Sequence, residues 1–375
     1  MTERERYRTR GNFYTITGDY PQCVKEYGDL LARYAADVSA HNNLALCLTY
    51  LRNMPRAVEE MQQAVKILPK RVLYRENLAL YSDYASDFQG GEREARAIPE
   101  PGVFGMLALG FAQLGQDQRP LAVETYQTLG KIDSQGASYA ASALGDVAFY
   151  EGRLSDAVRV FEEGASADLS AKDPDRAAAK LATLAYVQLL RQQKTAALAA
   201  ADRALANSKA VKIRFLAARV YTEAGAAAKA RPLIADLGGE LQSEPQAYAK
   251  IVEGEAALKS GQARQAIKAL TEANTLLDTW MGHFDLGRAY LEAAAYTQAD
   301  SEFDRCIKRR GETLALFLDE EPTFGYLPPV YYYQGRARQG LNTAGFADSY
   351  RTYLSIRGQS SEDPLVAEVR RRVGE

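Results

Sequence analysis

The sequence predicts an all-α fold, a right-handed superhelical solenoid built from about ten helix-turn-helix units. Apolar residues recur at steps of three and four along almost the whole chain of 375 residues, whereas sustained period-two alternation is rare. The predicted helices come in pairs that short turns separate, such as EGRLSD (151–156) and KSGQAR (259–264). Two series of small residues recur about once every 34 residues and set the length of the unit.

These two series place one small residue in each helix of a unit. The first helices carry Gly11, Ala45, Ala79, Ala108, Gly145, Ala185, Ala218, Gly254, Gly287 and Gly335. The second helices carry Cys23, Ala57, Ala122, Ala157, Ala197, Ala230, Ala266, Ala299 and Ala347. A bulky residue follows most of the second series after four positions, at Tyr27, Met61, Tyr126, Phe161, Ile234, Leu270 and Phe303. Because both series keep the same period, the sequence predicts stacked helix hairpins with a shared core.

Gly287 lies inside a helix-forming run, HFDLGRAYLEAAAYTQADSEF (283–303). A glycine in the middle of a helix costs about 1 kcal/mol relative to alanine, because it loses the most backbone freedom on ordering. We expect the two helices of the hairpin to cross most closely at Gly287, with packing around Tyr290 and Phe303 offsetting this cost. The glycine is therefore predicted to serve the architecture.

The repeated unit resembles the tetratricopeptide repeat, a helix-turn-helix of 34 residues with the pattern W-x2-L-G-x2-Y, A-x3-F and P. One unit supplies Leu286, Gly287, Tyr290, Ala299 and Phe303 of this pattern. The second unit supplies Leu44, Ala45, Leu48, Ala57, Met61 and Pro69. The resemblance implies a solenoid whose first helices line a concave face, along which extended partners lie.

The resemblance extends over residues 1–375 as a single solenoid. Well-matched repeats occupy about 4–71, 138–171 and 247–313, and looser repeats occupy 72–137 and 172–246. An insertion covers 311–329, and an atypical terminal repeat with a capping helix covers 328–375. We expect the LALFL stretch of the insertion to extend the preceding helix and DEEPTFGYLPP to form a loop. This loop has two interpretations, a binding loop on one face or a cap for the terminal repeat.

Two stretches, residues 2–31 and 304–341, also resemble the C-terminal repeat arrays of bacterial eukaryotic-like serine/threonine kinases. No Gly-rich loop followed by a lysine strand, HRD or DFG motif is present, so no phosphoryl-transfer residues carry over. This resemblance implies an alternative function, a regulatory or sensor segment of a kinase polypeptide that controls a catalytic neighbour. The Met1 start fits either a separate reading frame or a fragment.

Composition and charge narrow the class of protein. Forty-six basic and forty-eight acidic residues give a formal net charge of -2 without long blocks of one sign, so no nucleic-acid partner is predicted. No run approaches the roughly 18 apolar residues of a spanning helix, so no membrane insertion is predicted. We expect a cytoplasmic protein, or an extracytoplasmic one if the chain is cut from a membrane kinase. The oligomeric state stays open.

The sequence predicts neither catalysis, a cofactor nor a metal site. Cys23, Cys47 and Cys306 are far apart and odd in number, so we expect buried thiols, no disulfide framework and a reducing compartment. The two histidines, His41 and His283, fall in different repeats, where packing or capping explains them. Phosphate-loop, dinucleotide, serine-hydrolase and zinc-protease motifs are absent.

The predicted function is that of a non-catalytic scaffold that binds a protein or peptide partner in the concave groove. At the N-terminal end, Arg8, Asn12, Asn43 and Asn77, with Asn42 beside Asn43, fall on the exposed side of first helices. Chaperone-binding members of the family hold a peptide C-terminus with a two-carboxylate clamp, which Arg8, Asn12 and Asn43 match by place. Leu73 and Asn77 lack the cationic side chains of that clamp. Three interpretations stay open: a true clamp, asparagines that hold a peptide backbone, or solvated helix faces.

A second candidate surface lies toward the C-terminal end. It consists of Phe284, Arg288, Tyr332, Tyr333 and Arg336. Tyrosine and arginine are the side chains that most often anchor interfaces, so a binding role is one interpretation. The other is that VYYYQG (330–335) is a core run, with Tyr331 buried and only its neighbours exposed.

Overall fold

The structure is a computed structural model, and it describes residues 1–343 and 345–374. Within these residues every regular element is a helix and no strand occurs. Ten successive hairpins are followed by one final helix. The all-α class and the number of units are therefore confirmed, while the handedness of the solenoid stays a prediction. Ala344 and Glu375, both in the predicted terminal region 328–375, lie outside the described residues.

The chain divides into two compact units. Unit 1 consists of residues 1–132 and 318–320, and unit 2 consists of residues 133–317 together with the chain from 321 onward. The single continuous solenoid over 1–375 stays a prediction.

Unit 1 contains four hairpins, in which odd-numbered helices come first. They are α1 (Glu3–Thr17) and α2 (Tyr20–Arg33), α3 (Val38–Tyr50) and α4 (Met54–Ile67), α5 (Val72–Tyr84) and α6 (Phe88–Arg96), and α7 (Val103–Gly115) and α8 (Arg119–Leu129). Asp19, Asp37, Asn53 and Asp87 precede α2, α3, α4 and α6, and each side chain accepts a backbone N–H of the first turn. These caps explain why the helices begin where they do.

Unit 2 contains six hairpins and the final helix. The hairpins are α9 (Ser134–Tyr150) and α10 (Leu154–Ser170), α11 (Pro174–Leu190) and α12 (Lys194–Asn207), α13 (Val211–Glu223) and α14 (Ala227–Gly238), α15 (Ser243–Lys259) and α16 (Ala263–Leu276), α17 (Trp280–Glu292) and α18 (Tyr296–Lys308), and α19 (Pro329–Gly340) and α20 (Phe346–Arg357). The last helix is α21 (Pro364–Val373).

Gly287 has the architectural role predicted for it, through a contact between a ring and a helix backbone. A Cβ atom built on Gly287 would lie 2.6 Å from the ring of Phe303, which comes from the partner helix. The missing side chain thus lets the phenyl ring lie directly on the backbone of α17, and the fully buried ring offsets the cost of the glycine. The three heavy atoms nearest to that Cβ position all belong to the ring.

The same contact recurs between a first-helix glycine and a bulky residue sixteen positions later. It occurs at Gly11 with Tyr27, Gly110 with Tyr126, Gly145 with Phe161, and Gly254 with Leu270. The recurrence confirms the glycine members of the first series with one correction, because Gly110 rather than Ala108 meets the ring in α7.

The assignment of Ala347 as the last member of the second series is also wrong. In the terminal hairpin the ring on Gly335 is that of Tyr350, and Ala347 is only half-buried. The spacing from the glycine to the ring is one residue shorter there than in the other hairpins, so a count of four from Ala347 misses the buried tyrosine.

Unit 2 closes on itself, because the segment that follows α20 contacts the turn between α9 and α10. Arg357 donates to the carbonyl oxygens of Phe149 at 3.0 Å and Tyr150 at 3.1 Å, at the C-terminal end of α9. The hydroxyl of Ser360 donates to the carbonyl of Gly152 at 2.6 Å. The last hairpin therefore meets the first hairpin of the unit, and six hairpins enclose an interior.

Apart from residues 318–320, which belong to unit 1, the insertion lies inside this closed unit, which contradicts two expectations. Residues 310–315 form a 3-10 helix after α18 has ended at Lys308, so the LALFL stretch does not extend that helix. A second 3-10 turn covers Phe324–Tyr326, and nearly every residue of 311–317 and 322–329 is buried. The apolar residues of the insertion pack against the interior of unit 2, so the insertion is not a surface loop.

The expectation of three thiols is wrong. Cys23 of α2 and Cys47 of α3 form a disulfide that joins the first two hairpins, and both residues are fully buried. Cys306 is the free cysteine of the described chain, and its buried thiol confirms the packing role predicted for it. Because disulfides persist in oxidising compartments, the cysteine count no longer favours a reducing compartment.

The glycine contact predicts that Gly287→Val lowers the free energy of unfolding of unit 2 by about 3 kcal/mol, since a branched side chain would overlap the Phe303 ring. Thermal unfolding followed by circular dichroism measures this. Gly238→Ala is the matched control, because its Cβ would meet Ala249 at an ordinary 3.6 Å. Equal midpoints for the parent and Gly287→Val would contradict the packing described here.

The disulfide predicts the outcome of thiol titration. A thiol reagent such as DTNB should label no cysteine quickly in the native protein, because Cys306 is buried and the other two are bonded. In denaturant without reductant one thiol should react, and prior reduction should raise the number to three. Three reactive thiols in denaturant without reductant would show that Cys23 and Cys47 are not joined.

Candidate partner-binding surfaces

A ladder of asparagines runs across the first helices of unit 1. Asn43 of α3 donates to the hydroxyl of Tyr27 at 2.9 Å, and that hydroxyl donates to Asn12 of α1 at 2.6 Å. Asn42 donates to Asn43 at 3.0 Å, and Asn77 of α5 donates to Asn42 at 2.8 Å. The sequence-predicted Asn12, Asn43 and Asn77 are therefore brought together on three neighbouring helices.

The ladder keeps hydrogen-bonding capacity for a partner. Each asparagine amide has two N–H donors and a carbonyl oxygen with two lone pairs, and the bonds within the ladder use only part of this capacity. Asn12 is exposed, while Asn42, Asn43 and Asn77 are half-buried. The surface can thus offer both donors and acceptors to an extended backbone.

Arg8, the fourth predicted residue at this end, is already paired within the chain. Its guanidinium donates to both carboxylate oxygens of Asp37, at 2.7 and 3.1 Å, and Arg4 donates to the same carboxylate at 2.7 Å. Burial opposes the charged form of Asp37, but the hydrogen bonds from Arg8 and Arg4 hold its pKa below the usual value. A free carboxylate of a partner would have to compete with this internal one.

In unit 2 the interior face of the first helices is occupied by the insertion. Asp146 of α9 accepts the backbone N–H groups of Phe324 at 2.7 Å and Gly325 at 2.9 Å. Burial raises the pKa of the Asp146 carboxyl to about 7, although both N–H groups act in the opposite direction. Ser142 donates to Glu321 at 2.5 Å, and Arg357 donates to the carbonyl of Gly325 at 3.1 Å.

Aromatic rings of the insertion pack on rings of successive first helices. Tyr326 stacks on Tyr186 of α11 at a centroid distance of 4.9 Å. Phe324 stacks on Tyr150 of α9, also at 4.9 Å. Phe317 meets the ring of Tyr248 of α15 edge-on at 5.8 Å, and it also contacts Phe215 of α13. The groove predicted to bind a partner is filled here by the chain itself.

A buried ionic network crosses the interior of unit 2 from α13 to α17. Arg219 donates to Asp285 at 2.5 Å and lies 3.2 Å from a carboxylate oxygen of Glu255. Arg288 donates to Asp285 at 2.9 Å and approaches Glu223 at 3.4 Å. Burial opposes ionisation of Glu223, yet Arg288 and Lys259 lower its pKa to about 2. The arginines are thus committed to internal carboxylates.

The structure corrects the predicted C-terminal surface at two residues. Phe284 is 6% exposed and stacks on Trp280, and Tyr332 is 5% exposed and packs against α20 and α21. Both belong to the core because this face of α17 and α19 meets further hairpins. Tyr331, expected to be the buried member of VYYYQG, is half-buried instead.

The other three predicted residues at this end keep some exposure. The Arg288 guanidinium lies 5.6 Å from the centre of the half-buried Tyr333 ring. Arg336 is half-buried and lies 3.8 Å from Glu292. Tyr333 and Arg336 thus stay predicted partner contacts, while Arg288 is held mainly by the ionic network.

Sequence reasoning missed Asp146, Tyr186, Arg219 and Glu255. The sequence contains a signal that could have identified these four residues, because each follows directly after a member of the first series of small residues. Asn12, Arg288 and Arg336 occupy the same position in their units. A residue one step beyond the small residue is rotated by about 100° around a helix, which in unit 2 turns it from the hairpin core toward the interior.

The histidines are paired with carboxylates. His41 lies 2.6 Å from Glu60, and His283 lies 2.6 Å from both Asp278 and Glu302. In the described ranges, no group of three or more His, Cys, Asp or Glu residues has the geometry to hold a metal ion. None of the helices in that part of the chain has the length and apolar character needed to cross a membrane.

Comparison with known proteins connects part of unit 1 to a family. Residues 17–72, which contain α2, α3 and α4, match the family model described as tetratricopeptide repeat. Residues 17–72 of this chain are therefore similar to tetratricopeptide repeats. A stretch of 68 residues is 31% identical to Hsp70-Hsp90 organizing protein 3 of Arabidopsis thaliana. It covers 18% of this chain and only 12% of that protein.

Two solved structures resemble the whole chain weakly. The crystal structure of the APC/C hetero-tetramer Cut9-Hcn1 has a TM-score of 0.39 at 10% identity, covering 100% of this chain and 91% of that one. The crystal structure of yeast Tom70 has a TM-score of 0.39 at 11% identity, covering 98% of this chain and 88% of that one. At this level of similarity neither structure adds to the functional argument.

Proposed function

We propose that this chain is a protein-interaction scaffold of tetratricopeptide-like hairpins, and that its partner lies across the first helices of unit 1. The observation that carries the proposal is the asparagine ladder, in which Asn12, Asn42, Asn43 and Asn77 line up over three helices. The partner is an extended peptide segment whose main chain exchanges hydrogen bonds with these amides.

The family match supports this location, because residues 17–72 contain two of the four asparagines, Asn42 and Asn43. Repeats of this type generally bind protein partners and carry no catalytic machinery. The pairing of Arg8 with Asp37 and the uncharged Leu73 and Asn77 disfavour a clamp for a free C-terminal carboxylate. Neutral amides fit a partner that is recognised mainly through hydrogen bonds to its main chain.

The interior of unit 2 is a poorer location for the same partner, since residues 311–317 and 321–327 already lie there. The alternative function, a regulatory segment of a kinase polypeptide, rests on the sequence resemblance alone.

The ladder predicts that Asn43→Ala combined with Asn77→Ala weakens binding of a partner about fivefold or more, because two neutral hydrogen bonds contribute about 1–3 kcal/mol together. The partner is first captured with the full chain as bait and identified by mass spectrometry. Calorimetry with the purified partner then compares parent and variant, and circular dichroism checks that the fold is kept.

Gln62→Ala combined with Gln63→Ala is the matched control, since it removes two exposed amides from the second helix α4. It should bind like the parent. Tyr333→Ala combined with Arg336→Ala tests the other predicted surface and should weaken binding less than the asparagine pair. Parental affinity of the asparagine variant would refute a partner site on the ladder.

A further inference from the structure

The insertion is held in unit 2 in the way that a solenoid holds a foreign peptide. Its backbone groups are satisfied by side chains of the surrounding helices, with Asp146 accepting two N–H groups and Arg357 donating to one carbonyl. Its aromatic side chains stack on rings from α9 and α11. Main-chain hydrogen bonds combined with aromatic anchors are typical of peptide recognition.

The segment has little structure of its own. Between α18 and α19 it forms only the 3-10 helix of 310–315 and the single turn Phe324–Tyr326. A backbone bond from Thr323 to Leu314 and a bond from Leu316 to the Thr323 hydroxyl join its two arms. The Thr323 hydroxyl also donates to the carbonyl of Thr313 at 3.0 Å. The position of the segment therefore depends on these few internal bonds and on the groove, whereas the helices on either side have hairpin partners that hold them.

One contact leaves no spare room for the segment. A Cβ atom built on Gly325 would overlap the ring of Phe149, a fully buried side chain of α9. Glycine is thus required at the point where the segment lies closest to the groove. A single methyl group added there acts on the segment and leaves every helix of the unit unchanged in sequence.

We propose that residues 321–327, together with Phe317, are a displaceable internal ligand of unit 2, and that the interior surface beneath them is a second peptide-binding surface. The partner that fits it is an extended segment with an aromatic-glycine-aromatic core, the chemistry of Phe324, Gly325 and Tyr326. While the internal ligand is bound, the surface is closed to this partner. The proposal is independent of the asparagine ladder in unit 1.

Native-state hydrogen exchange of the unmodified protein gives the first test. The amides of 321–327 should open at urea concentrations at which the central amides of α13 and α15 stay protected, because the segment leaves without unfolding the hairpins. If the amides of the segment and of these helices exchange only through the same global opening, the segment is an inseparable part of the core and the proposal is overturned.

Gly325→Ala gives the second test. The variant should exchange the amides of 321–327 at least tenfold faster than the parent, with protection of α13 and α15 retained. Gly238→Ala in α14 adds the same methyl group where there is room, and it should leave exchange in the segment unchanged. Loss of protection in the helices together with the segment would count against the proposal.

A fluorescent synthetic peptide of residues 314–328 then probes the emptied surface by polarisation. It should bind Gly325→Ala and not the parent, and a peptide carrying alanine in place of glycine should bind neither. Phe324→Ala, which removes an anchor without adding volume, serves as a second displaced variant if Gly325→Ala fails to fold. Absence of binding to a folded variant with a displaced segment would overturn the second binding surface.

Discussion

The guanidinium of Arg357 is the interaction on which the architecture of unit 2 depends. This side chain is 2% exposed and joins four groups, the carbonyls of Phe149, Tyr150 and Gly325 and the carboxylate of Asp363. It therefore connects the last hairpin, the first hairpin and the insertion at one point. Removing a buried charge of this kind leaves its partners unpaired, which costs about 3–5 kcal/mol.

This closure is the reason why we propose a partner site on unit 1 and not in the interior of unit 2. A solenoid usually offers the inner face of its first helices, but in unit 2 this face carries an internal ionic network and the aromatic residues of the insertion. In unit 1 the corresponding helices carry a polar ladder with capacity to spare. The same repeated hairpin thus presents an accessible polar surface in unit 1 and a filled interior face in unit 2.

The hairpins could be predicted from the sequence because their contacts are local and periodic. Gly287 and Phe303 lie sixteen residues apart, and an equivalent pair with the same spacing recurs in other units. A single sequence pattern therefore indicates this contact in each of these units. The exposure of Phe284 could not be predicted, since it depends on which hairpins pack beside α17.

The course of the insertion could not be predicted either, because its anchors come from distant parts of the chain. Asp146 binds residues almost 180 positions away, and Arg357 binds carbonyls more than 200 positions away. No periodic pattern links residues at such separations. The polar ladder could be predicted only in part, because the register of the repeats places Asn12, Asn42, Asn43 and Asn77 on one face, while the bonds between them depend on the side-chain geometry.

A distance measurement between spin labels on Arg159→Cys and Gln359→Cys tests the closure of unit 2 most directly. Both sites are exposed, and they lie on α10 and on the loop after α20. The account predicts one short, narrow distance in the parent and a longer, broader distribution when Arg357→Ala is added. A long and broad distribution in the parent, with no effect of Arg357→Ala, would contradict the closed unit.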